Sequence, residues 1–523
     1  MSTLASLRAL YNTIGGALDD LERAYAAHSL DHPSLDEPYY QVLASDMPTS
    51  AAPKADPARV AAEAISSSDP EIVRAQSLIA GACGQLAASM RNPFFTVLEV
   101  AHLGHISAAA QFLEASNTVE ILRDAGAQGL HVNDLARKIE EIKLGKERAS
   151  NPDIDHLDPI KLSHVLRLLA THHLLREVAP NVYANNRFSS SIDSGKTLEQ
   201  LATAPEKKYE ESNGGAAYIG FSTAETLRAV TYLREWLLPS AEQPKKPETP
   251  FNLALNTDEG FYAWIERPEN SLRLTQVSRS MSAAKAIQGG RNITDKTAFP
   301  WDTLPQNAVI VDVGGGIGGV SVELAQAYPH IRCIVQDRAQ TVAIAPHVWG
   351  NAHKDLFEAG RVSFQAQDFF EPQPSSLNVP EVGRVSHPAA YVLARILHNW
   401  PDAQCVKILK NLRAAAGPDT KLLINDTVLP YACADSGDSD PSIKQTGPTT
   451  ASLIPAGSPL LPNLGMATLG GYLMSVTMMT LMDARERTLD EFKALTLSAG
   501  WKIVSIDRCP PPMPWGYIVA VPV

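Results

Sequence analysis

Residues 309–337 read VIVDVGGGIGGVSVELAQAYPHIRCIVQD: a β-branched run ending in an acid, then a cluster of glycines, then an apolar helical pattern. Val309–Val313 predicts a short buried strand. Gly314, Gly315, Gly316, Gly318 and Gly319 stand where a strand turns sharply into a helix and the backbone must come close to a ligand. Val320, Val322, Leu324 and Ala325 mark the helix. A second strand, Ile331–Val335, leads to Asp337, 21 residues after Gly316. An acid at that point can accept hydrogen bonds from both hydroxyls of a ribose. Together these parts predict a nucleoside-binding α/β unit. The spacing Gly314-x-Gly316-x-x-Gly319 also fits a dinucleotide fingerprint, so the glycines alone leave NAD and S-adenosylmethionine both open.

Further strands are predicted at Val362–Phe364, Ala390–Leu393 and Leu422–Asp426, with two closing strands at Lys502–Ile506 and Gly516–Val521. Helical patterns lie between them, among them residues 470–483 and the segment RTLDEFKALTLSAGW. This alternation predicts a mainly parallel sheet with helices on both faces. Ligands of such sheets lie beyond the carboxyl ends of the strands, which gathers Gly314, Asp337, Asp368, His398 and Asp426 on one edge. Asp368, followed by Phe369, could bond an adenine amino group with the ring covered, or could cap its own loop. His398 precedes a helix begun by Pro401 and closed by Gly417. In YLMSVTMMTLM, residues 472–482, Met474, Met478 and Met482 share a helical face. Thioethers adapt to flat aromatic rings, so these residues suit an acceptor pocket, or plain core. Met281, with Phe261 and Trp264, likewise suits a substrate wall or core.

A chain of 523 residues predicts two or three domains. The boundaries read as an N-terminal helical extension over 1–110, a middle region over 111–295 and a nucleoside domain over 296–523. Residues 27–58 read as a surface linker, and 431–465 as a flexible low-complexity insertion. Within the middle region, VNDLARKI, the helix Asp158–Leu175 and a hairpin turning at Pro180-Asn181 have the layout of a winged helix. The second helix offers only Lys161 and Arg167 as firm positive charges, which argues against DNA readout. A formal net charge of −12 likewise disfavours nucleic acid and anionic membranes as partners. Five scattered cysteines without a CxxC suggest reduced thiols in a cytoplasmic protein and no zinc site. His164, His172 and His173 lack an acid or Cys spaced to complete a metal site. No secretory signal is evident, and no apolar run approaches the ~18 residues of a membrane span.

The glycine stretch resembles the first motif of the S-adenosylmethionine-dependent methyltransferases. Downstream, LARILHNWPD, LLINDTVLP and ARERTLDEFKALTLSAGW occur in order. They resemble the plant and fungal O-methyltransferases typified by the caffeic acid and flavonoid enzymes and by the fungal sterigmatocystin O-methyltransferases. The resemblance covers roughly residues 100–523 and implies a C-terminal Rossmann-like catalytic domain. It also implies an N-terminal, mainly helical winged-helix domain that packs a homodimer. Carried over by position, it implies cofactor contacts at Asp312, Gly314, Gly315, Gly316, Asp337, Asp368, Phe369 and Arg395. It implies a general base at His398, oriented by Asp426 and Glu486, and a metal-independent reaction on a small phenolic metabolite. Three features depart from the plant pattern. Asp426 stands where Glu is common, Ala394 stands where a basic residue is common with Arg395 adjacent, and both the first ~100 residues and the 431–465 insertion exceed it. Rival readings are a winged-helix ligand-sensing regulator, a catalytically inactive methyltransferase-like dimer and, weakest, an NAD-dependent oxidoreductase.

Overall fold

The computed structural model describes residues 3–39, 56–151, 153–238, 248–286, 292–349, 353–434, 440–512 and 514–523. Its packing forms two units, one of Met1–Asp19, Val73–Ala87 and Gly289–Val523, the other of Asp20–Ile72 and Ala88–Gln288. The stretch read as an N-terminal extension is therefore shared between them.

The second unit is mainly helical and contains the wing. β1 (Leu130–His131), β2 (Arg176–Ala179) and β3 (Val182–Ala184) form an antiparallel sheet in the order β1-β3-β2. Helices Val132–Ser150 and Pro159–Thr171 lie between β1 and β2 in the chain. Asp158 caps the second of these, accepting from the backbone N–H of Ile160 at 2.8 Å, with Pro159 in the first turn. Leu162, Leu166 and Leu169 enter a core with Leu113, Leu135 and Tyr183. Arg167 is paired with Glu177 at 2.8 Å, so its charge is already matched. Helix Pro93–Ala101 has no buried residue; Phe94, Phe95, Val97 and Val100 are all exposed.

The first unit carries the sheet. In chain order its strands are β4 (Ala308–Val313), β5 (Ile331–Asp337), β6 (Val362–Ala366), the ribbon β7 (Leu377–Val379) and β8 (Gly383–Val385), and β9 (Ala390–Ala394). They continue with β10 (Lys421–Thr427), β11 (Lys444–Thr446), β12 (Trp501–Arg508) and β13 (Trp515–Pro522). Eight of these form one sheet, ordered β11-β12-β13-β10-β9-β4-β5-β6, parallel except for β13, which runs antiparallel to β10 and β12. Every residue of β4 is buried, as a central parallel strand covered on both faces requires. Alternation then divides it: Val309, Val311 and Val313 enter one core, Ala308 and Ile310 the other.

The insertion differs from its expectation as a flexible loop. Residues 435–439, like 40–55 of the expected linker, lie outside the described residues, but the remainder is packed. β11 extends the sheet beside β12, and Thr446 Oγ1 donates to Asp507 Oδ1 at 2.8 Å. Ile443, Leu460 and Leu464 are buried. Gln85 Nε2 donates to the Pro459 carbonyl at 2.8 Å, and the Thr13 and Ser458 hydroxyls are 3.0 Å apart. Isolated apolar anchors among Pro, Ser and Gly hold the segment without any periodicity. No helix among the described residues is long and apolar enough to cross a membrane.

Candidate active site

At the carboxyl end of β4 the chain enters a turn with Gly314 at φ +69° and Gly316 at φ +59°, a region that disfavours residues with a side chain. A Cβ on Gly315 would lie 2.6 Å from Asp312 Cγ. The Gly316 N–H donates to Asp337 Oδ2 at 2.9 Å, and the Arg338 N–H donates to Oδ1 at 2.8 Å. Asp337 thus fixes the turn from the end of the neighbouring strand. Asp312 is buried; Ser321 Oγ donates to its Oδ2 at 2.8 Å, and among the described residues its Oδ1 has no hydrogen-bond partner. Burial pushes this carboxyl up to about 6 against the Ser321 bond, with the charge of Asp337 adding to the rise. A buried, half-satisfied acid beside a glycine cradle is suited to a cationic or hydrogen-bonding ligand group.

Asp368 caps its own loop, accepting from the Phe370 N–H at 2.8 Å. Phe369 and Phe370 meet Trp400 edge-on, with ring centroids 5.8 and 4.8 Å away.

His398 lies in the single helical turn Leu397–Asn399 that follows β9. Its Nδ1 is 2.9 Å from Glu486 Oε1, and Glu486 is almost wholly buried. A carboxylate at that distance assigns the proton to Nδ1 and leaves the lone pair on Nε2. Among the described residues only Glu486 hydrogen-bonds the ring. Burial alone would lower the basicity of the imidazole, but the charge and hydrogen bond of Glu486, with the charge of Asp426, raise it above the ordinary value.

The two acids assigned to the base divide their work. Asp426 is fully buried at the end of β10, and among the described residues no side chain hydrogen-bonds its carboxyl. Burial pushes its carboxyl up to about 7 and the charge of Glu486 adds, while His398 and Arg487 oppose. Glu486 therefore holds the ring, and Asp426 acts through its field. Arg395 has φ +59°, and its backbone N–H donates to the Asn425 carbonyl at 2.8 Å. Burial lowers the basicity of its guanidinium, opposed by the charges of Asp426 and Glu323 and, more weakly, of Asp312.

Met474, Met478 and Met482 are on helix Leu469–Met482, which packs against the His398 turn; Met478 is buried and the other two are half-buried. Met281 belongs to the other unit and is 47% exposed. Sequence reasoning missed Arg487, which is fully buried and donates to the Leu397 carbonyl at 2.8 Å and the Trp400 carbonyl at 2.9 Å. Its one signal was adjacency to Glu486. Among the described residues no group of three or more His, Cys, Asp or Glu is placed to hold a metal ion.

Residues 243–443 match the model of the O-methyltransferase domain. The chain is 34% identical over 99% of its length to O-methyltransferase ARMGADRAFT_1088206 of Armillaria gallica, covering 100% of that protein. It is 32% identical to 4-O-methyltransferase 1 of Phanerochaete chrysosporium over 84% of this chain and 86% of the relative. Among solved structures, OxaC in complex with sinefungin and meleagrin shares the fold, with a TM-score of 0.59, 19% identity, and coverage of 86% of this chain and 93% of that one. With a full-length relative above 30% identity, the chain belongs to the S-adenosylmethionine-dependent O-methyltransferase family.

Proposed function

We propose that the chain methylates a phenolic hydroxyl of a small aromatic secondary metabolite, with His398 as general base and without a metal. The observation that carries this reading is the pairing of a half-buried His398 with a buried Glu486, 2.9 Å apart, on the same sheet edge as the glycine turn. The residues fit the cofactor: the turn offers a cradle that a Cβ at Gly315 would fill, and Asp312 presents a buried, unpartnered oxygen. Gly314, Gly315, Gly316, Asp312 and Asp337 would hold it, with Asp368, Phe369 and Arg395 at the margins. When bound, S-adenosylmethionine supplies a methyl group already made electrophilic by its sulfonium.

The chain must therefore supply a nucleophile. A phenol has a pKa of about 10 and an imidazole about 6.5, so complete prior deprotonation would cost on the order of 5 kcal/mol. His398 Nε2 instead accepts the phenolic proton during transfer. Glu486 keeps the ring in the tautomer that leaves Nε2 free and stabilises the imidazolium as it forms. Asp426 adds negative potential without competing for the ring proton. Met474, Met478 and Met482 suit the wall of the acceptor pocket. In this reading residues 296–523 are the catalytic domain, and 111–295, together with helix Pro93–Ala101 before them, carry the wing and the dimer contacts.

The exposed apolar helix Pro93–Ala101 supports a homodimer, because such a surface is normally covered by a partner. Free thiols at all five cysteines are in keeping with a cytoplasmic location. The regulator reading is not favoured, since Arg167 is committed to Glu177. Nor is the inactive-dimer reading, since base, carboxylate and glycines are all retained. Incubation of the full chain with methyl-labelled S-adenosylmethionine, EDTA and a panel of small phenols should place the label in an aryl methyl ether. Transfer that EDTA abolishes, or label found only on carboxylates or amines, would contradict the proposal.

A further inference from the structure

Two consecutive residues grip the turn that carries the base, and they do so differently. Glu486 takes the ring at Nδ1. Arg487 takes the backbone: Nη1 donates to the Leu397 carbonyl at 2.8 Å and Nη2 to the Trp400 carbonyl at 2.9 Å, so the two acceptors bracket His398. The buried Cys405 thiol leans on the same two carbonyls, at 3.2 Å each. On its other edge the guanidinium donates to Asp402 Oδ1 from Nη2 at 2.8 Å and from Nε at 3.1 Å. Asp402 opens the helix that follows the turn and is itself tied through Oδ2 to Arg485 at 2.8 Å. The root of the clamp is fixed to the sheet, since the Leu429 N–H, just beyond β10, donates to the Arg487 carbonyl at 2.9 Å.

We propose that Arg487, anchored by Asp402, is the positioning residue of the catalytic base, holding the His398 turn at the one height where the ring meets Glu486. The inference rests on the reading of His398 as base. Only a planar, multi-donor side chain can serve two carbonyls and a carboxylate together; a lysine ammonium keeps the charge but cannot span them. Loss of the clamp lets the turn drift, and the ring with it, although Arg487 touches neither ring nor substrate. A displacement of about 1 Å in a catalytic group lowers turnover by roughly 100-fold.

The test compares Arg487→Lys and Asp402→Asn with the wild type, using the phenol that turns over fastest and S-adenosylhomocysteine binding by calorimetry. Arg487→Lys should lower kcat by roughly 100-fold, with cofactor-product affinity changed by less than about threefold. Its pH–rate limb should move to lower pH, because a ring detached from Glu486 loses the carboxylate that raises its basicity. A purely structural role would lower the melting temperature and leave kcat per folded molecule and the limb in place. That outcome overturns the proposal. Should Arg487→Lys fail to fold, Asp402→Asn decides on the same two readouts, since the Asp402 side chain is half-exposed and the substitution is mild. It should lower kcat by about tenfold with the same limb shift; an unchanged kcat and limb overturns the clamp. Turnover retained by His398→Ala overturns the base reading and the clamp with it. Inactive His398→Ala beside a normal Arg487→Lys overturns the clamp alone.

Discussion

Replacing His398 with Ala is expected to lower kcat by roughly 1000-fold or more while leaving S-adenosylhomocysteine affinity within about twofold of wild type. The size follows from what is removed. A general base held in place contributes about 100- to 10,000-fold, and no second described side chain hydrogen-bonds the ring or shares its proton. Glu486 cannot substitute, because it lies behind the imidazole on the Nδ1 side. Asp426 cannot either: it is fully buried, out of reach of a bulky acceptor, and makes no hydrogen bond to the ring. Cofactor-product binding should be spared, because the glycine turn is held by Asp337 and Asp312 by Ser321, both without His398. Single-turnover methyl transfer with calorimetric binding checks both halves.

Gly315→Ala should have the opposite signature: loss of ligand binding first, and of turnover because of it. The new Cβ would sit 2.6–2.9 Å from all three terminal atoms of the Asp312 carboxylate. That carboxylate is buried and held by Ser321, so it cannot swing aside as a flexible chain end would. Overpacking of this kind costs about 1–3 kcal/mol, and the strain falls on the acid proposed to meet the ligand. S-adenosylhomocysteine affinity is expected to fall by roughly 100-fold, the larger end of that range. Gly316→Ala is the useful contrast. Nothing lies within 4 Å of its Cβ, and only φ +59° opposes it, which costs about 1–2 kcal/mol of backbone strain. Its effect should appear as a lower melting temperature with a smaller loss of affinity than Gly315→Ala shows. Binding unchanged in Gly315→Ala would show that the turn is not the cradle.

The fold was legible where a residue pattern repeats a geometric period or meets a steric demand. Val309–Val313 announced a central strand because burial on both faces leaves no room for polar alternation, and Gly314–Gly316 announced the turn because positive φ and a crowded Cβ admit little else. β11 was not legible: Lys444-Gln445-Thr446 has neither length nor alternation, and its pairing to β12 depends on partners some 60 residues away. The same holds inside the site. Resemblance nominated both Asp426 and Glu486, yet which of them reaches the ring is decided by where the chain after helix Leu469–Met482 returns to β10. Arg487 was invisible for a related reason. A buried arginine follows no periodicity; it is recognised only by the carbonyls it serves, and those belong to a turn 87–90 residues earlier in the chain.

The pH dependence of single-turnover methyl transfer in the wild type and in Glu486→Gln tests the central claim most directly. The neutral imidazole is the active form, so the rate should rise with pH through the pKa of His398, which in the wild type lies above the ordinary value of 6.5. Gln keeps the shape and an acceptor oxygen but not the charge, so the limb should move to lower pH while the plateau falls. A limb at the same pH in both proteins would contradict the account, because His398 would then not be the group that Glu486 tunes.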